Sequence, residues 1–496
     1  MIRIGVFFIS VLSGCWCVER LVFPPGFMFG ASTAASQIEG AWNMSGRTES
    51  IWDRLAHTRP EVVMNRTNSD VACDSYHLWR RDIEMLEELG LDMYRFSISW
   101  SRILPSGFPE RINPAGARYY SELIDALLER GIQPLVTLYH FDLPQSLQDL
   151  GGWANPLVAD WFADYARVVF SLYADRVKFW LTINEPIGVC DLGYNGQHAP
   201  CFDDGKVGQY LCNKNVLMAH AKAWRVYDEE FRPKYHGKVS IVAVFIWFEP
   251  KSPDDVAVTE LVIEHWAGRY SHPIFSKAGG WPSRIEKLLN ENARREGYSQ
   301  SRLPPFTPEE TALVKGTFDF YALNHYTTRL VRKAKPGEEI GSWTFYGCDE
   351  IGVVFEKHPD WPPTAIDWFS VHPEGLRTQL HWLNASYGPI DFLITENGYP
   401  DTYTGTNDMA RLEYMRSHLE QLLLAISDGI SVIGYSTWTL MDNFEWMGGY
   451  TIRFGLYAVD FSDPVRTRTP RDSARYYAAV TRSRAVHPTH DALNYT

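Results

Sequence analysis

Basic charge is the scarcer sign in this chain. Forty-seven Lys and Arg stand against 60 Asp and Glu, for a net charge of −13, and the basic residues form no block. That balance argues against nucleic acid or an anionic membrane as a partner. Cysteine is also sparse, with seven in 496 residues. Cys15 and Cys17 fall at the N-terminal leader. The other five are Cys73, Cys190, Cys201, Cys212 and Cys348, too few for disulfides to define the fold. Cys201 and Cys212 flank a Gly/Asp loop and are the candidate pair. No CxxC or HExxH spacing occurs, so no metal is expected. There is no Pro- or Ser-rich linker and no short repeat. Beyond the leader there is no long apolar run and no GPI-type or KDEL-type tail, so no membrane anchor is expected.

What is present is an ordinary globular composition, 45% hydrophobic and 22% charged, ample for a large core. Met1 to Cys17 reads as a secretory signal: Arg3 is the positive n-region, Ile4 to Leu12 the apolar stretch, and Ser13 and Gly14 the small residues that follow. The run is too short to span a bilayer. The expected division is a leader over residues 1–18 and one catalytic domain over 19–496, secreted into a gut lumen or similar extracellular space. Sequons at Asn43, Asn65, Asn384 and Asn494 fit secretion as glycosylation sites. Aromatics reach 14%, with 18 Trp. Most fill the core, but aromatic faces can also stack on the C–H faces of sugars.

Two stretches organise the rest. Asp391 to Ile394 reads as a buried strand that stops at Thr395, Glu396, Asn397 and Gly398. Phe179 to Ile183 is a similar strand running into Asn184, Glu185 and Pro186. A carboxylate at the end of a buried strand is costly unless a site uses it. Two such Glu residues match the site layout of a (β/α)8 barrel and the paired carboxylates of glycoside cleavage. The remaining strand-like runs are Phe27 to Gly30, Met93 to Ser97, Pro134 to Tyr139, Val239 to Phe248, Phe318 to Asn324 and Val432 to Thr437. They alternate with amphipathic helices, the first capped by Asp74 and a later one by Asp408. Eight strands alternating with helices predict a single TIM barrel of the α/β class with extended βα loops. The stretch after Gly268 reads as a long irregular insertion, and Lys333 to Asp367 as loop.

The motifs FMFGASTAASQIEGAW, LYHFDLPQSLQDLGGW, LTINEP, ITENG and TLMDNFEWMGGYTIRFGL, in that order, resemble glycoside hydrolase family 1, the β-glucosidase family, including its secreted animal members. The resemblance covers nearly the whole mature chain. It implies a (β/α)8 fold, no cofactor, and hydrolysis with retained configuration. It also implies roles by position: Glu185 as acid/base, Glu396 as nucleophile, Arg95 as charge partner of the nucleophile and Tyr326 as its hydrogen-bond donor. Gln37, His140, Asn184 and Glu445 match the groups that fix sugar hydroxyls. Trp438 and Trp446 match the stacking platform and a hydrogen-bonding indole. A carboxylate at Glu445 would repel a 6-phosphate, so the resemblance implies an unphosphorylated β-glycoside as the small-molecule substrate.

Three departures stand out. Phe141 replaces the Trp of the family's HWDLP. His325 stands where Phe or Tyr is common. Val244 and Ile246 stand where cellobiose-cleaving relatives have Asn, which predicts an apolar aglycone subsite, with Trp368 as a further candidate wall. A thioglucosidase acting on glucosinolates is the competing enzyme reading. For it, Arg329, Arg332 and Lys333 are either sulfate ligands or a solvated loop. A non-catalytic binding protein is the reading from another class, and retention of both glutamates speaks against it.

Overall fold

The computed structural model describes residues 22–203 and 206–488, without the side chains of Val244 and Phe245. The expected leader and the sequon at Asn494 lie outside the described residues. Eight parallel strands form the frame: β1 (Met28–Ser32), β2 (Met93–Ser97), β3 (Gln133–Tyr139), β4 (Phe179–Asn184), β5 (Lys238–Pro250), β6 (Tyr321–Lys333), β7 (Phe392–Glu396) and β8 (Val432–Trp438). Each pairs with its neighbour in sequence, β8 pairs with β1, and β5 pairs with β6, so the sheet closes on itself. The barrel thus has no free edge.

Helices cover the outside, among them α1 (Ser75–Leu89), α2 (Pro114–Glu129), α3 (Val158–Tyr173), α4 (Val207–Val226), α5 (Val256–Ile263), α6 (Glu374–Tyr387), α7 (Met409–Ser427) and α8 (Asp472–Ser483). Their inner stripes and the outward faces of the strands make one continuous core. Asp74 and Asp408 do occupy the N-cap positions, but neither side chain caps its helix. Asp74 instead meets the His77 ring at 2.6 Å. Asp408 accepts from Ser473 N–H at 2.9 Å, tying α7 to α8.

The insertion after Gly268 is more ordered than its composition suggests. It carries helices at Ser283–Arg295 and Pro308–Val314. The second starts with a reciprocal cap between Thr307 and Glu310. The segment read as loop after Lys333 contains a hairpin strand, Val353–Glu356, that pairs antiparallel with the end of β6. The expected Cys201–Cys212 disulfide is corrected: Cys212 pairs with Cys190, Cα–Cα 5.4 Å, and Cys201 is free. Cys190 lies on the helical turn Gly188–Leu192 directly after β4, beneath the start of α4. The Cys201 thiol is instead engaged within its own loop, on the Gly196 carbonyl at 3.2 Å.

Inside the barrel, side chains alternate in layers. Met93, Leu135, Leu181, Val242, Ala322 and Leu393, one from each of six strands, form an apolar plug with Phe320. Two residues further along four of these strands stand Arg95, Thr137, Asn324 and Thr395. The period of two along a strand puts them on the same inward face. The lumen therefore changes from apolar to polar toward the C-terminal ends of the strands, where barrels of this kind carry their sites.

Candidate active site

The polar layer is a connected network. Arg95 is fully buried, so its charge needs partners. Its Nε donates to Thr137 Oγ1 at 3.1 Å, one Nη donates to Asn184 Oδ1 at 2.6 Å, and the other donates to a Glu396 carboxylate oxygen. Tyr326 donates its hydroxyl to the second Glu396 oxygen at 2.6 Å. Burial and the Glu396 charge hold the Tyr326 pKa well above its ordinary value, so it remains a donor. Asn324 donates to Glu185 Oε1 at 2.7 Å, and its own Oδ1 accepts from Thr395 Oγ1 at 2.7 Å. Gly398, just past Glu396, leaves no room for a side chain: a Cβ there would lie 1.9 Å from the Trp438 carbonyl oxygen. The strand ends of β7 and β8 meet at that point.

Glu185 and Glu396 open into one cavity of about 310 Å³. Its inner end is lined by His140, Asn184, Tyr326, Trp438, Glu445 and Trp446. Gln37 supports this end, donating to Glu445 Oε2 at 3.3 Å and to the Phe444 carbonyl at 3.0 Å. The His140 ring lies nearly parallel to those of Trp438 and Trp446, at 5.7 and 6.0 Å. Burial, with Arg95 nearby, pushes its pKa well down. The imidazole is therefore neutral and can exchange hydrogen bonds with hydroxyls. Phe141, Glu185 and Trp446 hold left-handed backbones, φ 71°, 43° and 49°. Such conformations in non-glycine residues concentrate at functional sites.

The two carboxyls face different surroundings. Glu396 has a guanidinium and a phenol. Glu185 has only the Asn324 amide, and its pKa is pushed up to about 8, first by burial and second by the Glu396 charge. Glu445 is likewise pushed up to about 8 by burial and by Glu396. That weakens charge repulsion as the reason a 6-phosphate would be refused. A sounder reason is that no lysine or arginine stands among the residues lining the cavity, so a phosphate there would be buried unpaired.

The outer end is apolar. Ile187, Leu192, Ile246, Trp266, Phe345 and Trp368 line it. Ile246 and Trp368 are both among these lining residues, whereas the side chain of Val244 lies outside the description. Arg329 and Arg332 fit neither expectation. Arg329 is buried behind Trp368, donating to its carbonyl and to Ser370 Oγ. Arg332 pairs with Glu338 at 2.7 Å and Glu356 at 2.6 Å. Asn43 and Asn65 are exposed and Asn384 half-buried on α6. Among the described residues no cluster of His, Cys, Asp or Glu could hold a metal ion, and no helix is long and apolar enough to cross a membrane.

Sequence reasoning missed Asn324, although an amide directly after the apolar Tyr321–Leu323 that open β6 was its signal. It also missed Ile187, Leu192, Trp266 and Phe345, which arrive on loops whose course no motif announces.

Comparison with known proteins agrees with this geometry. The family profile described as Glycosyl hydrolase family 1 matches residues 19–486. Myrosinase 1 of Brevicoryne brassicae is 46% identical over 464 residues, 92% of this chain and 98% of its own. The cytosolic beta-glucosidase of Homo sapiens is 40% identical over 474 residues, 94% of this chain and 99% of its own. A solved beta-glucosidase from Thermotoga maritima, in complex with castanospermine, superposes with a TM-score of 0.84 at 37% identity, covering 94% of this chain and 99% of that one.

Proposed function

Starting from the chain's membership of glycosyl hydrolase family 1, we propose that it is a secreted, retaining β-glucosidase-like enzyme acting on terminal unphosphorylated β-D-glycosides. In this reading Glu396 attacks the anomeric carbon as a carboxylate, the form that Arg95 and Tyr326 are built to meet. Glu185 donates a proton to the departing oxygen and later takes one from water. The observation that carries the assignment is the asymmetry between the two carboxyls. Retaining hydrolysis needs one protonated and one charged group, and paired titratable groups with opposed surroundings mark such a division of labour. In this reading Asn184, held by Arg95, meets the sugar 2-hydroxyl, where a hydrogen bond strengthens as charge develops.

The apolar outer end favours an uncharged apolar aglycone. A glucosinolate, as the name of the Brevicoryne brassicae relative suggests, would place a sulfate there. The lining offers no cation, and Arg329 and Arg332 are already engaged. We therefore favour O-glycosides over sulfated thioglycosides. Proton NMR of the first-formed anomer from an aryl β-glucoside tests the mechanism: β-glucose must appear first. Glu396→Gln should lose at least about 10⁴-fold in kcat. Release of α-glucose first, or full activity in Glu396→Gln, would overturn the assignment.

A further inference from the structure

Residues 341–346 contain no helix or strand, yet Thr344 and Phe345 line the outer end of the cavity. Thr344 has φ 89°, a backbone that a β-branched residue adopts only when its surroundings impose it. The contacts of this turn with Gln197 are long: Gln197 reaches the Trp343 carbonyl at 3.5 Å and accepts from Thr344 Oγ1 at 3.3 Å. Firmer contacts hold its C-terminal end, where the Tyr346 hydroxyl donates to Asp367 at 2.9 Å and the Tyr346 carbonyl accepts from Phe355 N–H at 2.8 Å, and one more ties its middle to the rest of the molecule. The Trp343 indole N–H donates to Asp191 Oδ1 at 2.9 Å.

Asp191 is a firm anchor. It is fully buried, paired with Arg269 at 2.6 Å, and accepts from Gln209 at 2.6 Å. A hydrogen bond to such a charged acceptor is among the stronger kind. Asp191 sits on the turn Gly188–Leu192, which the Cys190–Cys212 disulfide joins to α4. That turn also contributes Leu192 to the cavity, so both sides of the outer end refer to one fixed point. The Trp343 ring packs edge-on against Trp266 at 5.0 Å, and Phe345 meets Trp368 at 5.4 Å.

Building on the apolar-aglycone reading above, we propose that Trp343 is a positioning residue that sets aglycone selectivity, its bond to Asp191 holding the Thr344–Phe345 wall against the leaving group. The inner, sugar-binding end does not depend on this bond. Trp343 therefore acts on large aromatic leaving groups and is indifferent to small ones.

The test compares wild type with Trp343→Phe, which keeps a ring and deletes the donor. Two substrates share glucose but differ in leaving group, one a naphthyl and one a methyl. For the naphthyl glucoside, kcat/KM should fall about tenfold through KM. For the methyl glucoside, and for the Ki of glucose, changes should stay within about twofold. The same comparison by calorimetry, with both proteins carrying Glu396→Gln, reads binding without turnover. It stands even if the wild type proves inactive on glucosides, an outcome that would sink the functional reading and not this one. Parallel losses for both glycosides would mean general damage and overturn the proposal. So would equal affinity of the two proteins for the naphthyl glucoside.

Discussion

Asn324 Nδ2 lies 2.7 Å from Glu185 Oε1, while the Asn324 carbonyl accepts from Thr395, the residue before Glu396. One side-chain amide on β6 thus ties together the strands that carry both carboxyls. Its N–H favours the charged form of Glu185, opposing the burial that pushes the pKa up to about 8. The acid must be protonated to work, so kcat/KM should decline as pH rises through about 8. Asn324→Ala removes the opposing donor and should carry that alkaline limb upward. A pH profile of kcat/KM on an aryl β-glucoside checks both statements, and a limb that moves to lower pH contradicts them.

Glu185 and Glu445 also link stability to pH. A carboxyl whose folded pKa lies near 8 rather than its ordinary 4.5 holds its proton more tightly when folded. Its contribution is whole below about 4.5 and is lost as pH climbs toward 8. Thermal midpoints should therefore fall between pH 5 and 9, as an order-of-magnitude window around those values. Glu445→Gln has no proton to lose there and should flatten part of the decline. Glu445 keeps partial exposure to the cavity, which limits the size of the effect. A midpoint that falls equally steeply in Glu445→Gln would show that other groups govern the slope.

Tyr326 donates to Glu396 at 2.6 Å from a partly buried position on the cavity wall. A hydrogen bond to a charged acceptor contributes about 1.5–3 kcal/mol. If that contact steadies the nucleophile through the reaction, Tyr326→Phe should lower kcat/KM by roughly 10- to 100-fold, the kinetic equivalent of that range. Its thermal midpoint should change little, because Arg95 still pairs with Glu396. Steady-state kinetics beside a melting curve separate the two effects.

Strand periodicity pointed to Glu185 and Glu396 at the ends of buried strands, and the other site residues were named through the family resemblance. Asn184 and Glu396 are the last residues of strands that open with apolar runs, Arg95 stands in the middle of β2, and β2 matches its expected bounds of Met93 to Ser97. Legibility fails where contacts depend on how long loops return. Cys190, not Cys201, meets Cys212, because a turn after β4 and the start of α4 are neighbours in space alone. Arg329 reads in the sequence as a sulfate ligand or as part of a solvated loop. Its strand extends past the barrel and buries it behind Trp368, a placement set by the loop from Asp367 to Ser370. Asp74 and Asp408 carried the right cap chemistry, but their side chains are taken elsewhere, Asp74 by His77 in the first turn of its own helix and Asp408 by Ser473 of α8.

Ile246 is the most direct handle on the leaving-group side. It is buried at 5% exposure and lines the outer cavity among apolar neighbours. A second glucose unit placed there would bring hydroxyls against a wall with no amide or carboxylate at this position. Each hydroxyl that loses water without gaining a partner costs about 1–3 kcal/mol. Cellobiose should therefore be a poor substrate beside an aryl β-glucoside that shares the same sugar. Ile246→Asn supplies a donor and an acceptor at that wall. It should raise the cellobiose-to-aryl ratio of kcat/KM by about tenfold, the equivalent of one hydrogen bond regained. Most of the change should appear in KM for cellobiose, because the inner end and both carboxyls are untouched. Comparable wild-type rates on the two substrates would remove the premise, and an unchanged ratio in Ile246→Asn would place the second sugar elsewhere in the cavity.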